Sequence, residues 1–335
     1  MPAYNAEKYI EEAIQSILDQ SFKDFEFIII NDGSADNTLN LVQEFQKKDD
    51  RIVLIDRENM GLVHSLNEGI SKSKGEYIAR MDADDISLEN RFIEQLKFMK
   101  SNSVDICGSS VQLFTGKNDI KVWSYPLLDR DIKFSLLFSC TFAHPGVMMR
   151  RRIFSSLRYR DCKYAEDYRL WVDAALSKFK MANINKVLLK YRLHENQVSC
   201  KNLTLQKSQS LLISNFYFSQ LKSLKSVYGI YKGLSAVVSS NDLYKLYNCV
   251  NSHRNQHKVS DEYFLKFVRH ALGIFNSYNL NVFWVYYKIV KPLKRNFFHD
   301  VFIFFLCVFQ INTKSEFYRS TFRVIEFIAR KNRPS

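Results

Sequence analysis

The sequence predicts an α/β fold with a mostly parallel, helix-covered sheet, followed by a mainly helical C-terminal region. Two observations support this prediction. Short apolar runs alternate with segments of helical spacing over roughly the first 110 residues, and after about residue 200 the chain reads as helices rich in Leu, Phe and Tyr. Strands that alternate with helices of about a dozen residues are typical of βαβ units, whose strands run parallel.

The first elements repeat this alternation regularly. In residues 7–20, the apolar residues Ile10, Ile14 and Ile17 share one helical face. The run "FEFIII" is rich in β-forming residues and ends at the polar turn "NDGS". The same two patterns then predict a helix at 36–48, a strand at 51–55 and a helix at 61–73.

The later elements follow the same logic until the pattern becomes less regular near residue 110. "EYIARM" (76–81) and "VDICGSS" (104–110) predict strands, and "SLENRFIEQLKFMK" between them predicts a helix that starts near Ser87. Further on, the patterns predict a strand at 146–150, a helix at about 167–178 and paired strands near 181–192.

Charge divides the chain into two regions. Residues 1–200 carry 28 Lys/Arg and 29 Asp/Glu, whereas residues 201–335 carry 20 and 6, so the net charges are −1 and +14. This change predicts a domain boundary near Cys200. With 46% hydrophobic residues and only 15 Gly plus Pro, the sequence is typical of a core-forming globular protein and not of a disordered one.

Cysteine usage and hydropathy predict a protein of the cytoplasm. The six cysteines lie far apart with no C-x-x-C pair, which favours reduced, mostly buried thiols in a reducing compartment. The polar N-terminal stretch lacks the features of a secretory signal. The longest uncharged apolar run, residues 301–309, is much shorter than the roughly 20 residues that a membrane-spanning helix needs.

Three aspartates, Asp82, Asp84 and Asp85, stand within four positions directly after a predicted strand. Two such charges about 4 Å apart repel by roughly 4 kcal/mol at an effective dielectric of 20. A bound divalent cation would reverse this repulsion, and Mg²⁺ or Mn²⁺ selects oxygen ligands. A solvated acidic turn is the alternative. The end of a strand favours the cation, because ligands of α/β sheets bind there.

Six motifs occur in the order seen in glycosyltransferase family 2, which residues 1–200 therefore resemble. They are "PAYNAEKYIEEAIQSILDQS", "FEFIIINDGSADNT", "NMGLVHSLNEGISKSKGEYIARMDADD", "HPGVMMRR", "AEDYRLWVDAA" and "YRLHENQVS". The resemblance implies the GT-A fold, a Rossmann-like sheet with flanking helices. It also implies an inverting enzyme that uses a nucleotide sugar.

The resemblance implies a set of donor-binding residues. Tyr4 would pack on a pyrimidine face, and Asp32 would accept the uracil ring N–H. Arg80 has an alternative, an ion pair with one of the nearby carboxylates. The donor-side positions are Pro2, Ala3, Tyr4, Asp32, Asn59, Asn67, Arg80 and Asp82, with Arg57 bordering the nucleotide.

The resemblance also assigns the metal and diphosphate contacts. Asp84 matches the direct metal ligand, with Asp82 and His194 completing the shell around Mn²⁺ or Mg²⁺. Arg192 and Ser199 fit a phosphate clamp. Asp85 either supports the metal shell or caps the helix predicted to start near Ser87.

The acid pair "ED" matches the catalytic position of the family. Asp167 is then the base that removes the proton of the acceptor hydroxyl, with Glu166 beside it. A helix N-terminus enriched in acids is the alternative explanation for this pair. His144 matches the start of the acceptor-side loop. Trp171 lies one turn after Asp167 and either bounds the acceptor pocket or belongs to the core.

One feature departs from the family pattern. Family members carry an apolar strand immediately before the residues that match "PAYN", and here that motif follows Met1. We expect the edges of the neighbouring strands to be exposed as a consequence. A start codon assigned too late and a true truncation both explain this departure.

The basic, aromatic region after residue 200 suggests a partner. A helix rich in Lys, Arg, Phe, Tyr and Trp can lie in an anionic membrane interface, which would suit an enzyme acting on a lipid-linked sugar at the inner face of the cell membrane. An ordinary helical domain with a solvated basic face is the alternative. Nucleic acid is not expected as a partner, because no recognised binding module is present.

Together these observations predict a metal-dependent glycosyltransferase that moves a sugar from a nucleotide sugar, with a UDP-sugar as the expected donor, to a hydroxyl of a glycan or lipid-linked acceptor in cell-surface polysaccharide synthesis. A nucleotidyltransferase on a related α/β core would need a Gly-rich phosphate loop near the first strand, and none is visible in the sequence. A membrane-associated scaffold without activity becomes the explanation if the missing strand abolishes nucleotide binding.

Overall fold

A computed structural model describes residues 1–116, 118–195, 197, 202–234, 239–274 and 280–290. The chain divides into two compact units, Met1–Ile213 and Ser214–Ser335, which we describe separately. The division lies after the boundary predicted near Cys200 from charge, and Cys200 itself is outside the described residues.

The first unit contains a three-stranded parallel sheet in the order β1-β2-β3. Its strands are β1 (Pro2–Ala3), β2 (Phe27–Asp32) and β3 (Ile52–Arg57). Helices α1 (Ile10–Leu18), α2 (Thr38–Gln46) and α3 (Leu62–Lys72) connect and follow them. Each strand is followed by a helix, so the polar turns after β1, β2 and β3 open at one edge of the sheet.

A second sheet of six strands has mixed pairing. Its strands are β4 (Tyr77–Ala79), β5 (Ile86–Ser87), β6 (Ile106–Thr115), β7 (Asn118–Trp123), β8 (Met148–Arg150) and β9 (Met181–Arg192). Their order is β4-β8-β6-β9-β5, with β7 paired to β6. Only β6 and β9 run parallel, and the other pairs are antiparallel.

The first unit has further helices. They are α4 (Arg91–Asn102), α5 (Asp129–Ser135), α6 (Glu166–Leu176) and the first part of α7 (Leu203–Gln220), with short 3₁₀ helices at His144–Gly146 and Arg151–Ser155. Of these, α4 and α5 pack against strands of the second sheet. The predicted apolar face of α1 is buried, with Ile10, Ile14 and Ile17 in the core, and the helix packs against β5 and α2.

The predicted α/β architecture is confirmed, with three corrections. The expected parallel pairing holds in the first sheet, whereas the second is mixed because β7 and β8 pair antiparallel to β6. Residues 181–192 form one strand instead of a pair. The pairing with β6 shifts between Ser109 and Ser110, so a bulge lets the polar middle of this strand continue along the sheet.

The third correction concerns the helix predicted to start near Ser87. Ser87 instead pairs with Leu189 as part of β5. The chain then turns, Arg91 N donates to the Leu88 carbonyl at 2.9 Å, and α4 begins at Arg91 with Asn90 at its N-cap. Asp85 is therefore too far from α4 to cap it, and that alternative is wrong.

A cavity of about 910 Å³ lies between the two sheets. Phe27 and Ile28 of β2 line one side, and Tyr77 and Ile78 of β4 line the other. β1 pairs with β2 only at Ile30 and Asn31, and β4 forms the outer strand of its sheet in the described chain. Parts of β2 and β4 thus border this cavity.

The second unit is helical in its described part, as predicted. It contains the remainder of α7, α8 (Tyr228–Lys232), α9 (Ser240–Gln256), α10 (Asp261–Ile274) and α11 (Leu280–Val290), with a 3₁₀ helix at Lys222–Val227. Phe218 stacks on Tyr231 with ring centroids 4.3 Å apart. The apolar run at 301–309 lies outside the described residues.

Among the residues that the structure describes, no helix combines the length and the apolar character needed to cross a bilayer.

Candidate active site

The acidic turn after β4 brings three carboxylates together. One oxygen from each of Asp82, Asp84 and Asp85 lies within 4.8 Å of the others. Asp85 is 1% exposed, whereas Asp82 and Asp84 are half-buried and open outward. The strand pattern at 76–81 placed this turn at the end of β4, and the structure confirms that location.

Two arginines hold this turn in place. Arg80 forms an ion pair with Asp82, which is the alternative that the sequence left open for Arg80. Arg192, at the end of β9, donates its backbone N–H to Asp85 Oδ1 at 2.8 Å and its Nε to the Asp84 carbonyl at 2.7 Å. The conformation of the turn is therefore fixed by these two arginines.

Arg192 is not placed as the sequence predicted. Its guanidinium is 7% exposed, pairs with Glu12 and lies 4.5 Å from the ring centres of both Tyr9 and Phe114. These contacts make it a positioning residue behind the turn, in place of the predicted open phosphate contact. Ser199, the other predicted diphosphate contact, is outside the described residues.

The acidic turn fits a divalent cation. Asp85 Oδ2 is buried and has no hydrogen-bond partner. Burial raises the pKa of Asp85 well above its usual value, and the charges of Asp84 and Asp82 add to this. His194 Nε2 lies 3.0 Å from Asp84 Oδ2, so an imidazole joins the cluster as predicted. Carboxylate oxygens with one imidazole suit Mg²⁺ or Mn²⁺.

A second polar turn follows β2 and is organised by Asp32. The buried Asp32 carboxylate forms an ion pair with Arg57 and accepts the backbone N–H groups of Met60 at 2.8 Å and Gly61 at 3.0 Å. Asn59 Nδ2 donates to the Asp32 carbonyl at 2.8 Å. Asp32 and Asn59 thus fasten the two loops that follow β2 and β3.

The predicted nucleobase loop borders this turn. Pro2 and Ala3 form β1, and Ala3 pairs with Asn31, the residue before Asp32. Tyr4, the next residue, is largely exposed, so its ring is available to a ligand. Asn5 N donates to Ser34 Oγ at 3.0 Å, which ties the loop to the "NDGS" turn.

Asn67 and His144 belong to a connected buried network. Asn67 makes two hydrogen bonds of 3.0 Å with the backbone of Tyr159, one through each polar atom of its amide. The Tyr159 hydroxyl lies 2.8 Å from His144 Nε2. The predicted donor contact of Asn67 is therefore replaced by a bond that joins α3 to the chain before α6.

The two residues considered for the acceptor side, Trp171 and His144, are both buried, and for Trp171 this favours the core alternative. Trp171 is completely buried, and its ring lies 5.0 Å from Phe142 and 6.1 Å from His144. Trp171 is thus part of the core, because its ring packs against Phe142 and His144. His144 is buried beside it, and burial lowers its pKa well below the usual value. Their ring contact packs the start of the 3₁₀ helix at His144–Gly146 against α6.

The acid pair Glu166 and Asp167 begins helix α6. Asp167 Oδ1 accepts the backbone N–H of Tyr168 at 2.6 Å, and its Oδ2 accepts the thiol of Cys140 at 3.5 Å. Glu166 is 9% exposed. Burial and the neighbouring Asp167 raise its pKa to about 7, and burial also raises the pKa of Asp167.

Arg80 links the two acidic clusters electrostatically. Its charge lowers the pKa of Asp82, Glu166 and Asp167 against the raising effect of their burial, and the charge of Asp82 raises the pKa of Glu166. The turn after β4 and the start of α6 therefore lie close enough to interact. A cationic centre with carboxylates on two sides can hold a polar, charged ligand between them.

Several residues of this region were missed from sequence. Arg91 is fully buried and donates to the carbonyls of Arg80 at 3.0 Å and Pro145 at 2.9 Å, so it supports the strand end below the acidic turn. Burial lowers its pKa to about 9. Cys140 and Glu12 were missed too. None of these carries a local pattern, because their partners are distant in the chain.

Comparison with known proteins gives the family. Residues 1–158 match the sequence model of "Glycosyl transferase family 2". An uncharacterised glycosyltransferase of Haemophilus influenzae is 32% identical over 322 residues, which cover 88% of this chain and 94% of that protein. The O-antigen biosynthesis glycosyltransferase WbnJ of Escherichia coli is 30% identical over 221 residues, or 64% of this chain and 87% of that one.

A solved structure supports the fold. The structure of S. aureus TarS 1-349 in complex with UDP-GlcNAc aligns with a TM-score of 0.52 at 17% identity, covering 82% of this chain and 88% of that one. At this identity the likeness shows the GT-A fold alone. The chain belongs to glycosyltransferase family 2.

Proposed function

We propose that this protein is an inverting glycosyltransferase that transfers a sugar from a nucleotide sugar, a UDP-sugar in the first instance, to a hydroxyl of a glycan or lipid-linked acceptor. The observation that carries the proposal is the cluster of Asp82, Asp84 and Asp85 with His194 beside it, together with the acid pair Glu166 and Asp167 at the start of α6. The first suits a charged diphosphate with its cation, and the second suits proton removal.

The donor nucleotide would lie against the loops after β1, β2 and β3. The Tyr4 ring is exposed beside the Asp32 turn and can stack on a pyrimidine. Asp32 Oδ2 accepts only the Gly61 N–H among its described contacts, so this oxygen retains capacity for the uracil N–H. Asp82 would then contact the ribose.

Asp82, Asp84 and His194 would hold the Mn²⁺ or Mg²⁺ ion, with Asp85 behind them. When bound, such an ion neutralises negative charge on the diphosphate as the sugar–phosphate bond breaks. The protein's own contribution is to hold these ligands ready. Arg192 fixes Asp84 and Asp85 through two hydrogen bonds of 2.7–2.8 Å, and Arg80 fixes Asp82.

Asp167 is the proposed base. Its Oδ2 would accept the acceptor hydroxyl proton while the hydroxyl oxygen attacks the anomeric carbon from the face opposite the diphosphate. The nucleoside diphosphate then leaves with the electrons of the broken bond, and the configuration inverts. Burial raises the pKa of Asp167 above its usual value, which makes it a stronger base than an exposed aspartate.

The cell-surface role and the membrane surface are also proposals. The relative WbnJ is named for O-antigen biosynthesis, and a polysaccharide role for this chain follows by analogy. The net charge of +14 in residues 201–335 would favour an anionic membrane face. Binding to phosphatidylglycerol vesicles that weakens as salt is added would support this, and binding unaffected by salt would contradict it.

Donor hydrolysis tests the activity directly. The protein is incubated with UDP-, GDP- and dTDP-sugars, with and without Mn²⁺, and release of nucleoside diphosphate is measured. We expect nucleoside diphosphate to be released from the UDP-sugars only when Mn²⁺ is present. Calorimetry should then show that UDP binding also depends on Mn²⁺. Metal-independent release, or release of pyrophosphate in place of nucleoside diphosphate, would contradict the proposal.

A further inference from the structure

Trp123 and Tyr191 are ring neighbours at the outer part of the second sheet, and Tyr125 packs against the same apolar core as Tyr191. Trp123 is the last residue of β7 and is 42% exposed, although tryptophan is among the largest apolar side chains. Its ring centroid lies 6.4 Å from that of Tyr191 on β9, with the planes 31° apart. Tyr125 follows two residues later and is half-buried, like Tyr191. We call these three residues the aromatic wall.

Strand register puts Trp123 and Tyr191 on one face of the sheet. Trp123 pairs with Val111 of β6, and Tyr191 pairs with Leu113 of the same strand. Residues two apart on a strand point the same way, so Val111 and Leu113 mark a common face. Val122, next to Trp123, points to the opposite face.

The wall is fastened beside the proposed base. Asn183 Nδ2 donates to the Pro126 carbonyl at 2.7 Å and to the Thr141 carbonyl at 3.1 Å. These bonds hold the chain after Tyr125 next to the chain after Cys140. Cys140 in turn lies 3.5 Å from Asp167 Oδ2.

Electrostatics agree with this placement. Burial raises the pKa of Tyr125, and the charges of Cys140, Tyr191 and Asp167 raise it further. The wall therefore extends outward from the position where the acceptor hydroxyl would give up its proton.

The chemistry of the wall suits a sugar ring. A pyranose has a face of C–H groups that packs on an aromatic ring, while its hydroxyls at the edge need polar partners. Lys121 provides one, because its Nζ lies 5.9 Å from the Trp123 ring centre. A hydrocarbon chain would leave such a polar edge unmatched.

We propose that Trp123, Tyr125 and Tyr191 form an acceptor subsite that binds a pyranose ring of a glycan acceptor. This rests on the proposed function and makes it more specific, because it favours a sugar chain over a single hydroxyl on a lipid. The ring on the wall would be the one adjoining the sugar that receives the new bond at Asp167.

Tryptophan fluorescence of the full-length protein tests the subsite. The three tryptophans are Trp123, Trp171 and Trp284, of which Trp171 is completely buried. In a Trp284→Phe background, a change on adding a ligand at the subsite reports on Trp123. The probes are maltose, cellobiose, chitobiose and lactose at millimolar concentrations. We expect at least one of them to give a saturable change.

Substitutions show whether the fluorescence change comes from binding at Trp123. Disaccharide binding to each variant is measured by calorimetry. Trp123→Ala should weaken binding about five- to tenfold, as expected for loss of an aromatic contact, and Trp123→Phe should restore most of it. Val122→Ala is the matched control, since Val122 is 47% exposed on the same strand but faces the other way, and it should leave binding unchanged.

Three results would overturn the subsite. They are no saturable change with any of the four disaccharides, an equal loss in Val122→Ala, and a loss of vesicle binding in Trp123→Ala while disaccharide binding persists. Metal-dependent UDP binding is measured on the same samples. UDP binding does not involve the wall. If the protein binds a disaccharide but shows no metal-dependent UDP binding, the proposed function is refuted, whereas sugar binding at the wall is still supported.

Discussion

His194 Nε2 lies 3.0 Å from Asp84 Oδ2, although 110 positions separate the two residues in the chain. The contact forms because β9 ends next to the turn that follows β4, where Arg192 binds Asp84 and Asp85. An imidazole and a carboxylate at this distance can hydrogen-bond to each other, or they can share a cation. The contact therefore places an imidazole within reach of the cation proposed at Asp84.

Asp84→Ala should abolish Mn²⁺-dependent UDP binding. The substitution removes a carboxylate from the cluster and leaves the buried Asp85 as a poor replacement, because its Oδ1 already accepts the Arg192 N–H. Calorimetry with UDP in the presence and absence of Mn²⁺ measures the effect. We expect a loss of at least about 100-fold in affinity, consistent with removal of a metal ligand.

Two variants provide controls for this experiment. His194→Ala should give a smaller loss than Asp84→Ala, because the imidazole adds a neutral ligand and no negative charge. Asp19→Asn, at an exposed carboxylate just after α1, should bind like the unmodified protein. Unchanged UDP affinity in Asp84→Ala would remove the metal from the proposal.

Asp167→Asn should keep donor affinity while turnover falls by about 10²–10⁴-fold, the usual effect of a lost general base. The amide keeps the size of the side chain and can still accept the Tyr168 N–H that Asp167 now accepts at 2.6 Å. Transfer kinetics and UDP calorimetry on the same preparation separate the two effects. Turnover within a few-fold of the unmodified protein would show that another group takes the proton.

The periodic parts of the fold could be predicted from sequence alone. Helix α1 and strand β2 follow from local spacing, because their apolar residues face one core. The single strand Met181–Arg192 could not be predicted, since its polar middle is tolerated only through a register shift against β6. Long-range pairing decided that element, and one sequence does not reveal it.

The candidate site divides in the same way. Asp84 and Asp167 lie in short motifs at element ends, so sequence placed them correctly at the end of β4 and the start of α6. Arg192 and Trp171 also lie in motifs, but residues from distant parts of the chain surround their side chains and bury them. A motif predicts where the backbone of a functional residue lies in the fold. Whether its side chain is buried depends on the tertiary structure.

Stability should depend on pH through Glu166. Its pKa rises from an ordinary 4.5 to about 7 in the folded protein. Between these values the folded chain binds a proton that the unfolded chain releases. The contribution of Glu166 to the free energy of unfolding is therefore fully present below about pH 4.5. It is lost progressively as the pH rises towards 7. Glutamine stays neutral at every pH, so Glu166→Gln should remove this pH dependence. The dependence removed amounts to at most about 3 kcal/mol of the free energy of unfolding.

Urea unfolding at pH 5 and pH 8 measures this contribution. The difference in free energy of unfolding between the two pH values should be smaller in Glu166→Gln than in the unmodified protein. Glu44→Gln, at an exposed position of α2, serves as the control and should not change it. An unaltered pH dependence in Glu166→Gln would mean that Glu166 is ionised in the folded protein.

Gly33→Ala should weaken UDP binding more than Gly116→Ala does. Both glycines have positive φ, +70° and +54°, so alanine costs about 1–2 kcal/mol of backbone strain at either site. At Gly33 the added Cβ would also lie 2.5 Å from the Asn59 backbone N, whereas at Gly116, in the turn after β6, it meets nothing within 4 Å. Gly33→Ala must therefore displace the loop whose N–H groups bind Asp32, and Gly116→Ala leaves that loop in place. We expect thermal destabilisation from the strain in both variants, and about a tenfold loss of UDP affinity by calorimetry confined to Gly33→Ala. Equal UDP affinities in the two variants would show that the Asp32 turn does not contribute to the donor site.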